Sequence, residues 1–278
     1  MYKVILNGRI FSESELKKIE TALGPSVHKL PNGYALKLAT PLNASQLQHW
    51  RETLACDVNL LPEAFDSNQI KLVVSDMDST FINIECVDEI ADYAGVKAKV
   101  SAVTEAAMRG ELNFEESLTE RVSLLKGLDE SALQKVYDTR LKLNPGAELM
   151  LSTLKKHQIH FALVSGGFTF FTSRLQKKYD LEYTLSNTLE IIDGKLTGKV
   201  LGSIVGAEAK ANFLLQKCKE LNIKPSQAVA IGDGANDLKM MAEAGLGVAY
   251  KAKSKVQAEA DCAINVAGLE GLLALLEL

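Results

Sequence analysis

The chain has 278 residues, of which 47% are apolar and 24% are charged, and its formal net charge is −4. This length suits two or three structural units, and the composition is that of a folded protein rather than a disordered one. Lysine and arginine form no cluster that would neutralise a phosphate backbone. We therefore expect no nucleic-acid partner.

Membrane and secretion signals are also missing from the sequence pattern. Residues 1–11 do not show the basic and then apolar pattern of a signal peptide, and no apolar run reaches the roughly 20 residues that span a bilayer. The cysteines form no Cys-x-x-Cys pair, which favours a reducing compartment and buried thiols; they are Cys56, Cys86, Cys218 and Cys262. We expect a cytoplasmic protein with no membrane partner.

Residues 1–66 predict a separate module with both helices and strands. Ser12 and Asn43 are suitable N-caps for two amphipathic helices, and Asn32-Gly33 has the residue types of a tight hairpin turn. The predicted order is strand 2–6, helix 12–23, strands 28–30 and 34–39, helix 44–54 and strand 58–61. This βαββαβ order is ferredoxin-like and resembles that of the ACT modules that bind amino acids. A dimerisation or packing module is an equally good interpretation.

From residue 70 onward, apolar runs without alternation are separated by helical periodicity. The runs cover residues 70–74, 160–164 and 228–231, and strands buried on both faces have this pattern. We therefore predict an α/β fold with a doubly wound parallel sheet, built from residues 70–86 and 145–278, and a helical cap over 87–144. Ligands of such sheets bind beyond the carboxyl ends of the strands.

Two carboxylates follow the first of these strands. Asp76 and Asp78 are two positions apart, so both are able to reach one phosphate. A carboxylate such as Asp76 can attack phosphorus and carry the phosphoryl group, while Asp78 protonates the leaving oxygen and later takes a proton from water. Like charges this close need a cation.

The third strand supplies further oxygen ligands in Gly-Asp-Gly-Ala-Asn-Asp at 232–237. Hard oxygen donors suit Mg²⁺. We expect Asp76 and Asp233 to bind Mg²⁺ through their side chains and Asp78 through its backbone carbonyl. Asp237 is expected to support them.

The second strand ends in Ser165-Gly166-Gly167, where glycines let backbone N–H groups approach a phosphate and the serine hydroxyl adds a donor. Lys210 is the cation best placed along the sequence to offset the charge on Asp76 and phosphate.

Together these segments resemble the haloacid dehalogenase superfamily. Its phosphatases carry Asp-x-Asp-x-Thr, matched at 76–80 with Thr80 as a supporting residue, a serine after the second strand, a lysine, and Gly-Asp-x-x-x-Asp. The resemblance implies an Mg²⁺-dependent phosphatase, with Asn236 among the substrate-binding residues.

The predicted cap indicates the substrate. Glu85 and Arg121 match the Asp-x-Asp-Ser-Thr-x-x-x-x-Glu motif and the cap arginine of the phosphoserine phosphatases, where they are suited to bind an ammonium and a carboxylate. An ordinary helix N-terminal charge and a solvated cation are the alternatives. Met108 and Phe114 fit a pocket wall and a helical core stripe equally well.

The resemblance implies hydrolysis of L-3-phosphoserine to L-serine and phosphate, the last step of serine biosynthesis. A homodimer is one interpretation of its assembly. Two alternatives stay open: transfer of the phosphoryl group to another hydroxyl amino acid, and an amino-acid sensor with a vestigial catalytic domain. His157 and His160 have no metal-binding partners nearby in sequence, and Asp193-Gly194 is typical of a hairpin turn, so we expect structural roles for these residues.

Overall fold

The N-terminal residues form a four-stranded antiparallel sheet with two helices on one face. The computed structural model describes residues 1–24, 26–108 and 111–278. The strand order is β2-β3-β1-β4. In chain order the elements are β1 (Tyr2–Asn7), α1 (Glu13–Leu23), β2 (His28–Leu30), β3 (Gly33–Leu38), α2 (Ala44–Leu54) and β4 (Asp57–Leu60). The predicted ferredoxin-like order is confirmed.

Both helices of this module begin at capping boxes. The Ser12 hydroxyl accepts a hydrogen bond from the backbone N–H of Glu15 at 3.4 Å, and the Glu15 carboxylate accepts one from the backbone N–H of Ser12 at 2.9 Å. Asn43 and Gln46 form the same reciprocal pair, with both distances at 2.9 Å. Each box satisfies two backbone donors that the first turn of a helix leaves free, which explains why both helices begin where the sequence predicted.

A larger sheet of seven strands occupies the rest of the described chain, in the order β11-β10-β9-β5-β6-β7-β8. Its neighbouring strands are parallel except for β7 and β8, which form an antiparallel hairpin. The strands are β5 (Leu72–Asp76), β6 (His160–Phe168), β7 (Tyr183–Ile192), β8 (Lys195–Leu201), β9 (Ala228–Gly232), β10 (Leu246–Tyr250) and β11 (Cys262–Ile264). The predicted doubly wound α/β fold is confirmed.

Helices cover both faces of this sheet, and four more lie between β5 and the return of the chain to the core. The four are α3 (Cys86–Tyr93), α4 (Lys97–Met108), α5 (Phe114–Ser123) and α6 (Ser131–Thr139). The covering helices are α7 (Ala147–Lys156), α8 (Thr169–Tyr179), α9 (Ala207–Glu220), α10 (Leu238–Glu243), α11 (Ser254–Glu259) and α12 (Gly271–Leu275). None of the helices in the described ranges has the length and apolarity needed to cross a bilayer.

The strand β5 lies in the middle of the sheet and is buried on both sides. Leu72 and Val74 pack with α9 and α10, whereas Val73 packs in the cluster that contains α7, α8 and α12. The accessible surface of all three side chains is 0%. The apolar run without alternation therefore correctly predicted a strand that is buried on both faces. Its carboxyl end lies in the middle of the edge where the parallel strands end.

The N-terminal module is fixed to the edge strand β11 by buried side chains. The Asn59 carboxamide donates to the Ala263 carbonyl at 2.9 Å and accepts from the Ala263 N–H at 2.8 Å, as a neighbouring strand would. The Asp57 carboxylate accepts hydrogen bonds from three consecutive backbone N–H groups, those of residues 265–267, at 2.8 to 3.2 Å. Burial raises the pKa of Asp57, although these hydrogen bonds oppose that shift.

We expect Asp57→Ala to lower the free energy of unfolding by about 2 kcal/mol or more, because three backbone donors lose a buried acceptor. Chemical denaturation of the whole chain measures this loss. Glu63→Ala, at an exposed carboxylate of the same segment, is the matched control and should change stability by less than about 0.5 kcal/mol. Equal stabilities for the two variants would contradict the role given to Asp57.

Candidate active site

A cavity of about 170 Å³ lies where the carboxyl ends of β5, β6 and β9 meet α3 and α5. Drug-sized ligands occupy roughly 300–1,000 Å³, so this cavity suits a small metabolite. It is lined by Asp76, Asp78, Glu85, Val87, Phe114, Leu118, Gly166, Gly167, Phe168, Asp233, Gly234 and Asn236. Larger grooves lie elsewhere on the surface, but this cavity is the one that contains the acidic residues predicted from the sequence.

Lys210 lies directly behind the cavity wall, between two carboxylates. Its ammonium group forms a short hydrogen bond to Asp76 Oδ1 and a second one, of 2.8 Å, to Asp237 Oδ1. The accessible surface of the Lys210 and Asp237 side chains is 0%, and that of the Asp76 side chain is 6%. Asp237 is held further by the backbone N–H of Gly234, which donates to Oδ2 at 3.0 Å.

The carboxylates of the site hold more negative charge than this one lysine can neutralise. Burial raises the pKa of Asp76 well above its usual range; Lys210 opposes that shift, and the neighbouring aspartates add to it. Burial and the charge of Asp237 likewise raise the pKa of Asp233 to about 6. For Lys210, burial opposes the charged form, but Asp237 and Asp76 prevail and raise its pKa. The arrangement calls for a second cation.

This donor set fits a metal ion. In the described part of the chain, the group of three side chains able to ligate one ion together is Asp76, Asp233 and Asp237, whose nearest oxygens lie within 4.8 Å of one another. Both oxygens of Asp237 already accept hydrogen bonds, from Lys210 and Gly234. Asp76 and Asp233 therefore have the more available oxygens, and hard carboxylate oxygens suit a divalent cation.

The second carboxylate of the predicted pair, Asp78, is held by two donors. Its Oδ1 accepts from the backbone N–H of Cys86 at 2.8 Å, and its Oδ2 accepts from the Ser165 hydroxyl at 2.8 Å. The Ser165 hydroxyl itself accepts from the backbone N–H of Gly167 at 2.7 Å. Ser165 is therefore placed by β6 against Asp78, behind the lining of the cavity, rather than projecting into its open space.

The two glycines after Ser165 are required by close contacts. A Cβ atom on Gly166 would lie 2.6 Å from Cζ of Phe114, and one on Gly167 would lie 2.5 Å from Oδ2 of Asp78. Neither distance is possible in a packed interior. The absence of side chains at 166 and 167 thus lets the Phe114 ring of α5 close against the sheet edge and lets Asp78 reach Ser165.

An irregular turn after β5 brings two hydroxyl groups to neighbouring carboxylates. Ser79 has a left-handed backbone with φ of 56°, and its hydroxyl donates to Glu85 Oε1 at 2.7 Å. The Thr80 hydroxyl donates to Asp233 Oδ1 at 3.2 Å. The protein atoms packed around the Glu85 carboxylate and the nearby charge of Asp78 raise its pKa to about 8, although the residue keeps contact with solvent. The hydrogen bond from Thr80 to Asp233 joins the turn after β5 to the turn after β9.

The structure brings most of the predicted site residues together, but not Arg121. On α5 the described lining of the cavity reaches Leu118, one turn before Arg121. The Arg121 Nε donates to the Ser117 carbonyl of its own helix at 3.3 Å. Burial raises the pKa of Asp88 while the charge of Arg121 lowers it, which places the two residues near each other. Among the described residues, Asp88 Oδ1 is buried and has no hydrogen-bond partner.

Four lining residues were missed by the sequence analysis. Val87, Leu118 and Phe168 are apolar residues of ordinary helix and strand patterns, so nothing in composition separates them from core residues. Gly234 lies inside the predicted motif, and its adjacency to Asp233 was the available signal. The side chain of Met108 lies outside the described part of the chain, and its place in the pocket stays a prediction.

The four cysteines are buried as expected, whereas the structural roles expected of His157 and His160 stay predictions. The ring of His160 pairs closely with Glu182 at the surface, away from the acidic cavity. All four cysteines are buried free thiols.

We expect Lys210→Met to lower the free energy of unfolding by about 3 kcal/mol in metal-free buffer, because Asp76 and Asp237 would lose their shared buried cation. Denaturant titration measures the change. Lys239→Met is the matched control, since Lys239 pairs with Glu208 at 2.6 Å on the surface, where the two side chains are 62% and 70% exposed. Such exposed pairs contribute about 1 kcal/mol or less. Similar losses in the two variants would contradict a central role for Lys210.

Comparison with known proteins agrees with this geometry. A family model described as haloacid dehalogenase-like hydrolase matches residues 70–245. The phosphoserine phosphatase of Polaromonas sp. strain JS666 is 52% identical over 225 residues, which cover 79% of this chain and 95% of that protein. Unliganded probable phosphoserine phosphatase from Vibrio cholerae superposes with a TM-score of 0.84 at 40% identity, over 99% of this chain and 86% of the other. A phospho-aspartyl intermediate analogue of phosphoserine phosphatase has a TM-score of 0.70 at 41% identity, over 74% of this chain and 98% of the other. The chain therefore belongs to the haloacid dehalogenase-like hydrolases and, within them, to the phosphoserine phosphatase family.

Proposed function

We propose that the chain hydrolyses L-3-phosphoserine to L-serine and phosphate through an aspartyl-phosphate on Asp76. The observation that carries the proposal is the position of Asp76, which lines the small cavity and bonds to buried Lys210 behind it. A solved relative represents a phospho-aspartyl intermediate analogue, and another is a substrate-bound phosphoserine phosphatase complex, 40% identical with a TM-score of 0.70. These relatives support the same chemistry here.

In the first step, a carboxylate oxygen of Asp76 attacks phosphorus and the bond from phosphorus to the serine Oγ breaks. Asp78 gives its proton to that departing oxygen, so serine leaves as a neutral alcohol. In the second step, Asp78 takes a proton from water as the water oxygen attacks phosphorus, and the acyl-phosphate bond to Asp76 breaks. Phosphate leaves, and both aspartates return to their starting protonation states.

Lys210 and the divalent cation have complementary parts in this scheme. Lys210 holds Asp76 in a fixed orientation and offsets its charge, at no cost of reorganisation during the reaction. Mg²⁺ is the proposed metal; when bound, it would neutralise the phosphoryl oxygens and favour ionised Asp76. Asp76 and Asp233 would hold it through their side chains and Asp78 through its backbone carbonyl, with Thr80 and Asp237 supporting them.

The ammonium and carboxylate groups of phosphoserine are proposed to bind residues on and just before the helices α3 to α5. Glu85 lies at the cavity with its carboxylate held by Ser79, in position to accept an ammonium group. Arg121 would bind the carboxylate of the substrate as a bidentate pair, while Phe114 and Met108 close the pocket. On the core side, Ser165, Gly166, Gly167 and Asn236 would surround the phosphate. Residues 87–144 would act as a cap over a core of 70–86 and 145–278.

Hydrolysis is favoured over the alternatives. The relatives that the chain resembles are phosphatases, which supports release of phosphate to water rather than transfer to an amino acid. A vestigial sensor would have no need of the complete set of acids, lysine and glycines around one cavity. Three expectations stay predictions: that residues 1–66 are an ACT-like module, that the protein is a homodimer, and that it is cytoplasmic.

The central experiment measures phosphate release from L-phosphoserine at saturating Mg²⁺. The wild-type protein should release phosphate, and Asp76→Asn should lower kcat by about 1,000-fold or more, because an amide is a poor nucleophile for phosphorus. Asp193→Asn, at an exposed hairpin turn whose left-handed backbone also suits asparagine, is the matched control and should retain full activity. A near-normal rate in Asp76→Asn would exclude the covalent route.

The role of Arg121 can be tested with a substrate that lacks a carboxylate. We expect Arg121→Ala to lower kcat/KM for phosphoserine by about 100-fold, since a charged bidentate contact would be lost, and to affect phosphoethanolamine less than about threefold. Steady-state kinetics on both esters give the ratio. Equal losses on the two substrates would show that Arg121 does not bind the substrate carboxylate.

A further inference from the structure

Asn144 lies where the chain returns from the helical segment to the core, just before α7, and its side chain reaches the turn after the catalytic strand. Its Nδ2 is 2.8 Å from the Thr80 carbonyl, 3.1 Å from the Ile82 carbonyl and 3.3 Å from the Ser79 carbonyl. The backbone N–H of Asn144 also donates to the Phe81 carbonyl at 3.0 Å. One residue therefore satisfies the backbone acceptors of the whole turn.

The turn needs such a partner because it is not a regular element. The left-handed backbone at Ser79 and the extended one at Asp78, with ψ of 134°, depart from helical geometry. One hydrogen bond, from the Ile82 N–H to the Met77 carbonyl at 2.9 Å, closes the turn, but the carbonyls of 79–82 need donors from elsewhere in the chain. A carboxamide is the suitable side chain, since it has two N–H donors on one short stem. Two protons serve three carbonyls, so the longest contact, to Ser79, shares a proton.

The same turn carries two of the contacts on which the site depends. Ser79 donates its hydroxyl to Glu85, and Thr80 donates its hydroxyl to Asp233. The Asn144 carboxamide binds the backbone carbonyls of these same two residues. Freedom gained by the turn would misplace Glu85 and Asp233 together, although Asn144 touches neither of them.

We propose that Asn144 is a positioning residue that holds the 79–82 turn, and through it Glu85 and Asp233, in the geometry used for phosphoserine hydrolysis. The assignment of Glu85 to the substrate ammonium rests on the proposed function. Loss of the carboxamide raises KM for substrates with an ammonium group, through Glu85, and lowers kcat for all phosphate esters, through Asp233.

A structural alternative is that Asn144 only fastens the two connections of the helical segment. Those connections are paired nearby by Asn83, whose backbone N–H donates to the Lys142 carbonyl at 3.0 Å and whose Oδ1 accepts from the Lys142 N–H at 2.7 Å. Asn83 thus joins the same two connections, but its side chain does not bind the carbonyls of the turn. It provides the matched control.

The experiment is a graded series at position 144 in the full-length protein with Mg²⁺: Asn144→Ser, which keeps one donor, Asn144→Ala, which keeps none, and Asn144→Asp, which faces the carbonyls with a negative charge. We expect kcat/KM for phosphoserine to fall by about fivefold, about 30-fold and more than about 100-fold in that order. For Asn144→Ala, KM should rise about fivefold for phosphoserine and less than about twofold for 3-phosphooxypropionate, which lacks the ammonium group. Asn83→Ala should stay within about twofold of wild type.

Melting temperatures of all variants show whether a loss of activity comes from misplaced residues or from unfolding. All assays are run about 20 °C below the lowest melting temperature, where every variant is folded. A kcat/KM within twofold of wild type in Asn144→Ala, or an equal loss in Asn83→Ala, would overturn the proposal. If wild-type protein releases no phosphate from phosphoserine, the proposed function fails separately. The kcat of the same series on p-nitrophenyl phosphate then still decides whether Asn144 holds Thr80 and Asp233.

Discussion

One buried ammonium group joins two carboxylates at the acidic end of the sheet and offsets part of their charge. Lys210 comes from the first turns of α9, Asp76 from the end of β5 and Asp237 from the turn before α10, so a single charge joins three elements of the core. Burial raises the pKa of Asp76 and Asp233, and the neighbouring carboxylates, whose charge exceeds that of Lys210, add to the shift. This excess of negative charge calls for a second cation, and a divalent cation bound here would also offset the charge of a phosphate ester.

The N-terminal module shares the core of the protein instead of standing apart from it. Ile5 and Ala35 on its sheet belong to the same buried cluster as the residues of α12, while the other face of that sheet packs under α1 and α2. Asn59 and Asp57 complete the edge at β11 with buried hydrogen bonds. Moving the module as a rigid body would expose that surface and break those bonds, so any ligand response of the module would have to act within the docked arrangement.

Sequence reasoning succeeded where a residue type has one physical use and failed where packing decides. Asp76, Asp233 and Lys210 were predictable because ionic side chains next to buried strands need partners. The strand β11, Cys262–Ile264, was not predicted, since so brief an apolar run does not differ from buried helix in pattern. The strand β10, Leu246–Tyr250, was missed as well, although it is as long as β5 and β9. Asn144 was not found either, because its value lies in an irregular turn 62 to 65 residues away in the chain, which no local pattern reveals.

The groups proposed for the chemistry and those proposed for selectivity lie on different parts of this structure. The groups proposed to act on the phosphate lie at the ends of the central strands, in the turns directly after them, and on α9. Their geometry is therefore set by the packed core. The groups proposed to select serine lie beyond it: Glu85 begins α3, Phe114 begins α5, and Arg121 bonds to its own helix beside Asp88. The Phe114 ring already touches the sheet edge at Gly166, whereas Arg121 lies outside the described lining of the cavity. Under the proposed function, substrate choice depends on how α3 and α5 pack over the sheet, while phosphoryl transfer depends on the sheet and the turns that follow its strands.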